Sequence, residues 1–150
     1  MNWGKLLGQA LVAGVVLKGV SDVDDWLNDQ IRALKNGKSA SAYVEMAYEI
    51  AKMDNDQWQY LIGHLKIKSL RNDYANHVYQ YCNYVVGLEN NSIKELMSYS
   101  IRDAADVLAH GLRGMETYEV AAHYGILKAQ SERSMKAKAI LGQFDQLLLG

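Results

Sequence analysis

The chain of 150 residues has no proline, one cysteine and one phenylalanine, and its 16 basic and 17 acidic side chains leave a formal charge of −1. Each shortage excludes something. Proline punctuates turns, sheet edges and long loops, whereas continuous helix rejects it; a chain without any reads as helices joined by short connections. The lone Cys82 cannot form an internal disulfide, which fits a reducing compartment, and the cytoplasm is the expected location. A balanced charge supplies no net positive field for phosphates, so nucleic acid is not an expected partner.

No apolar run reaches membrane length. The longest, Leu6 to Val20, is interrupted by Gln9 and Lys18 and rises about 22 Å at about 1.5 Å per residue, short of the roughly 30 Å hydrocarbon core. Lys5 before an apolar stretch has the layout of a secretory signal, but no small-x-small cleavage pattern stands before Ser21, so the segment is expected to stay on the chain.

What is present begins with that same segment, MNWGKLLGQALVAGVVLKGV, which carries Gly4, Gly8, Gly14 and Gly19. As a helix it is apolar nearly all round and must be buried. Each interior glycine costs about 1 kcal/mol relative to alanine, a loss that close backbone approach to another surface can return. The segment is therefore expected to be an internal core helix, a docking helix for a protein partner or a second copy, or an anchor on a membrane surface with Lys5 and Lys18 at the headgroups. Trp3, Gly4, Leu7, Gly8, Leu11 and Val15 form the expected partner-binding row.

The rest of the chain reads as a single-domain all-α bundle of five to seven helices, with residues 1–20 as the packing or docking element and 21–150 as the bundle. Ser21 followed by Asp22, Asp24 and Asp25 predicts an N-cap with acids in the first turn, and Asn36-Gly37 the matching stop. Ser39 or Ser41 opens the next helix, Asp54-Asn55-Asp56 interrupts or recaps the chain, and Asn72-Asp73 marks a kink or break in a stretch from Gln57 to about Val86. Gly87 to Asn91 reads as a loop. Ser92 then caps an amphipathic helix with Ile93, Leu96, Met97, Ile101, Ala104, Ala105, Leu108 and Leu112 on one side. Gly111 and Gly114 bracket a turn, and Met115 to Leu148 forms one helix or two, with weak stops at Gly125 and Gly142. Ten tyrosines against one phenylalanine are expected to sit half-exposed or at an interface, because each buried hydroxyl needs a partner.

One pattern could carry chemistry. Asp103, Asp106 and His110 are spaced i, i+3, i+7, and Glu116, Glu119 and His123 repeat the spacing. If the chain reverses near Gly114 the two faces oppose, and Asp106, His110, Glu119 and His123 would offer a site to iron, manganese or zinc. The alternative is a solvated face with ordinary helical pairing. Residues Tyr118 to Leu127, Tyr-Glu-Val-Ala-Ala-His-Tyr-Gly-Ile-Leu, resemble over about ten positions the late helix of a bacterial ferritin-like family of small stress-associated helical proteins. Here His123 is an additional residue before Tyr124-Gly125, and paired Glu-x-x-His motifs are absent; Glu45 and Glu49 lack a histidine three residues on. That resemblance implies a metal-binding bundle. His64 and His77 lie in ordinary helical rows, and Cys82 has no neighbouring base to activate it.

No phosphate-cradling loop, dinucleotide fingerprint, zinc knuckle or nucleophile elbow occurs. The expected function is a non-catalytic interaction or assembly protein without a cofactor, docking on a protein partner or on itself through the N-terminal helix. The alternatives are a ferritin-like metal binder and a peripheral membrane protein.

Overall fold

The computed structural model describes Trp3 and residues 20–150. Gly4, Leu7, Gly8, Leu11 and Val15 of the expected docking row lie outside the described residues. Among the described residues there is no strand, and seven continuous helical runs pack on a shared core.

The first run, α1 (Val20–Lys35), already includes Ser21 as helix, so Ser21 does not stand outside it as a cap. Its end follows the sequence: Gly37 takes φ +74°, its N–H donates to Leu34 O, and Lys38 N–H donates to Ala33 O. This paired closure needs a left-handed residue, which glycine adopts without a Cβ clash. Helix α2 (Ser39–Lys52) follows directly. Asp54 then caps α3 (Asn55–Ser69), accepting from Gln57 N (2.8 Å) while the Gln57 side chain accepts from Asp54 N (3.0 Å). The expected break at Asn72 is a full one, since its side chain accepts from Ala75 N (3.1 Å) and starts α4 (Asp73–Leu88).

The expected loop at 87–91 is not there. Helix α4 runs through Gly87 into a π turn (Glu89–Ile93) and a short α5 (Lys94–Ser98), without a break. Leu88 and Ile93, five residues apart, are both buried; an α-helix would turn them well apart, and the wider π turn brings them onto one side. The Asn91 side chain donates to Gly87 O (2.7 Å) within the turn. Ser92 therefore caps nothing. The break falls at Tyr99, which is extended, and Ser100 is the cap, accepting from Asp103 N (3.1 Å) to open α6 (Ile101–Leu112).

A turn beside Gly114 leads to α7 (Thr117–Ser131), and Ser134, accepting from Ala137 N (3.2 Å), opens α8 (Met135–Leu149). Gly125 and Gly142 stop nothing. Residues 120–127 of α7 are all buried, so α7 is the central helix. Its most extensive seam is with α2, far earlier in the chain, and the two run parallel: Tyr43 meets Tyr118, Ala47 meets Gly125, and Tyr48 meets Glu132. At the middle of the seam a Cβ on Gly125 would stand 2.6 Å from Val44 O, 2.7 Å from Ala47 Cβ and 2.9 Å from Tyr48 N. Glycine is required there for space. Phe144 and Ile140 of α8, with Leu61 and Leu65 of α3, complete the core.

Candidate functional site

The densest gathering of polar and aromatic side chains lies where the start of α2, the first half of α4 and the start of α7 meet. Four-residue spacing places His77 and Tyr81 on one face of α4, and Tyr84 follows on the same side. Across from them stand Tyr43 on α2 and Tyr118 on α7. Ring centroids are 4.7 Å apart for Tyr43 and Tyr81, 5.9 Å for Tyr43 and His77, 6.0 Å for Tyr81 and Tyr84, and 5.4 Å for Tyr84 and Tyr118. These tilted and edge-on spacings fall in the favourable range for aromatic pairs.

Two of the hydroxyls are satisfied within the cluster. Tyr81, buried, donates to the Tyr43 carbonyl (2.9 Å) and lies 3.5 Å from that of Tyr118, so one phenol ties α4 to both parallel helices. The Tyr43 hydroxyl shares a 2.7 Å hydrogen bond with His77 Nε2. Burial, with a smaller contribution from Tyr118, raises the pKa of Tyr43; burial pushes Tyr84 up to about 12 and Tyr81 well above its ordinary value. These phenols are neutral at physiological pH: they donate, accept and present ring faces, but supply no phenolate. Beside them a cleft of about 380 Å³ opens between Leu34, Ser39, Tyr43, Asp73, Tyr74 and His77. The Lys35 ammonium lies 4.9 Å from the centroid of the Tyr74 ring.

At the other end of the α2–α7 seam, Tyr48 donates to Glu132, and Lys52 reaches both, 3.1 Å to the Tyr48 hydroxyl and 3.3 Å to the Glu132 carboxylate. The Tyr48 hydrogen bond, reinforced by Lys52, holds the Glu132 carboxyl below the usual carboxylate range. Cys82 is fully buried, and desolvation pushes its thiol far up, away from thiolate chemistry.

The four expected metal ligands are not brought together. Asp106 and His110 stand on the exposed face of α6, because Ala104 and Leu108 take the buried one. The Glu119 carboxylate accepts from Glu116 N (3.1 Å), as part of the cap of α7. His123 is turned into the protein, its Nδ1–H donating to Glu119 O (2.7 Å), and burial lowers its pKa. Glu49 is buried and Glu45 half-buried, the latter raised by desolvation and then by Asp29. Among the described residues no group of three or more His, Cys, Asp or Glu side chains is arranged to hold a metal ion.

Trp3 is half-buried against the core and lines a second cleft of about 300 Å³ together with Leu112, Met115, Thr117, Val120, Leu147 and Leu148. Of the described residues, no helix is long and apolar enough to cross a membrane. The tyrosine cluster has one signal in the sequence, the surplus of tyrosine, since its members come from three distant segments. The molecule is thus an all-α protein built on a parallel helix pair with a phenol-rich junction. In comparisons with known proteins no family model, no curated protein and no solved structure matches the chain, and the ferritin-like resemblance of residues 118–127 gains no support from them.

Proposed function

We propose that this chain is a non-catalytic helical assembly protein that docks through its N-terminal apolar segment, with a second copy of itself as the partner. Cytoplasm is the proposed setting, in keeping with a free, buried Cys82. The observation that carries the reading is the seat of Trp3. A tryptophan half-buried on its own bundle leaves an apolar edge uncovered, and the cleft that it helps to line, together with the exposed Leu147, is open to a second surface. Aromatic anchors seated in pockets at the centre of an interface carry most of its energy.

Light scattering of the full chain tests this, alongside Trp3→Ala. The expected result is a defined oligomer that Trp3→Ala weakens by about thirtyfold or more, with helical circular dichroism unchanged. A monomer at tens of micromolar, or an oligomer indifferent to Trp3→Ala, overturns the proposal.

A further inference from the structure

We propose that the cleft between α1, α2 and α4 is a binding site for a small alkylammonium ligand, received by the rings of Tyr43 and Tyr74 and the carboxylate of Asp73. The inference goes beyond the assembly reading and does not depend on it. Its first support is size: the cleft has a volume of about 380 Å³, at the lower end of the roughly 300–1,000 Å³ of ligand pockets, which suits a compact molecule. Its walls combine two tyrosine rings with one acid, the pairing that recognises an ammonium: ring faces attract a cation and a carboxylate adds Coulombic attraction. Asp73, exposed in the first turn of α4, makes no hydrogen bond or ion pair among the described residues.

Lys35 adds independent support. Its ammonium lies 4.9 Å from the Tyr74 centroid, so the ring already holds a cation of the protein's own chain, at the border of the cleft rather than in its lining. Lys35 is exposed and held by that contact alone among the described residues, so a ligand can displace it into water. In this arrangement Lys35 is an internal competitor. Its charge repels an incoming cation, and its removal frees the Tyr74 face. Tyr43 is kept in place by its hydrogen bond to His77, which lines the same cleft.

Two probes of the same shape test the chemistry: choline, which is charged, and 3,3-dimethyl-1-butanol, its neutral counterpart. Binding to the full-length protein is followed by the NMR signals of the Tyr74 and His77 rings. Choline is expected to bind about two- to fivefold more tightly than the alcohol, the ratio an exposed cation–ring contact supports. Asp73→Asn and Tyr74→Leu should each weaken choline by about two- to fivefold, and Lys35→Met should tighten it by about twofold. Equal binding of the two probes overturns the ammonium assignment. Failure of choline to shift either ring in both wild type and Lys35→Met overturns the site, and weaker choline binding by Lys35→Met overturns the competitor role. None of these readouts depends on oligomeric state, so the assembly reading can fail while this one stands.

Discussion

Two of the contacts made by α2 are built on opposite terms. Toward the middle of α7 it offers Val44, Ala47 and Tyr48 to Gly125, so closely that a single added carbon has no room. Toward α4 it offers Tyr43 to Tyr81 and His77, through rings 4.7 to 5.9 Å apart, with the Tyr43 and Tyr81 hydroxyls both finding partners. The first contact is stabilised by the absence of side chain and the second by an abundance of it. A close-packed seam has no slack, because interiors are as dense as organic crystals and transmit any added volume as strain. A phenol-rich junction has slack of a particular kind: rings can tilt, and each hydroxyl is worth only a modest net amount.

The largest effect should come from adding side-chain carbon to the seam. Alanine at 125 would favour the helix by about 1 kcal/mol, yet its Cβ must displace backbone atoms of α2 rather than the end of a flexible side chain. Overpacking of this sort costs about 1–3 kcal/mol and more when backbone must move, so Gly125→Ala is expected to lower stability by about 2 kcal/mol in urea titration, and Gly125→Leu to prevent cooperative folding. Gly63 and Gly142 supply the contrast. Both are exposed, lie in helix interiors and have no atom within 4 Å of the point a Cβ would occupy; alanine at either should stabilise by about 0.5–1 kcal/mol. If all three alanine substitutions shift stability in the same direction, the seam is looser than its geometry states.

The junction should yield less. Tyr81→Phe removes the hydroxyl that donates to the Tyr43 carbonyl and approaches that of Tyr118, while keeping the ring against Tyr43 and Tyr84. Loss of one buried hydrogen bond costs about 1–2 kcal/mol, readable as a shifted urea midpoint with an unchanged slope. A loss as large as that of Gly125→Leu would mean that the hydroxyl, rather than ring packing, holds α4 to the parallel pair.

How much of this is legible in the sequence follows from the range of each interaction. The helical class, the stop at Gly37, the cap at Asp54 and the break at Asn72 rest on neighbours within four residues, and all are present. The boundary near residue 90 misleads for a local reason too: Gly87 and two asparagines look like a loop, yet a π turn lets the helix continue and keeps Leu88 and Ile93 buried. The true cap, Ser100, is hidden because the apolar stripe from Ile93 to Leu112 continues in register across Tyr99. The rule that glycine in a helix signals close approach holds at Gly125, a position that reads in sequence as a weak stop. The tyrosine junction is out of reach, since its bonds join residues 37 and 38 apart in the chain. Asp106 and His110 face solvent because the amphipathic pattern of α6, itself readable, directs them there.

The smallest effect separates the two contacts by pH. His123 lies two residues before Gly125, buried in the crowded stretch of α7, where desolvation lowers its pKa and the hydrogen bond to Glu119 O only partly offsets that. A base with a folded-state pKa below its ordinary value contributes stability that is whole above the ordinary value. That contribution drains away as pH falls through the folded value, because the unfolded chain binds a proton that the buried ring resists. The junction's phenols titrate far above this window. Urea titrations at about pH 7 and about pH 5 should therefore show a larger acid loss for wild type than for His123→Gln, while Tyr81→Phe loses as much as wild type. If His123→Gln and wild type fall in parallel, water reaches the ring, and the seam is not dry at that point.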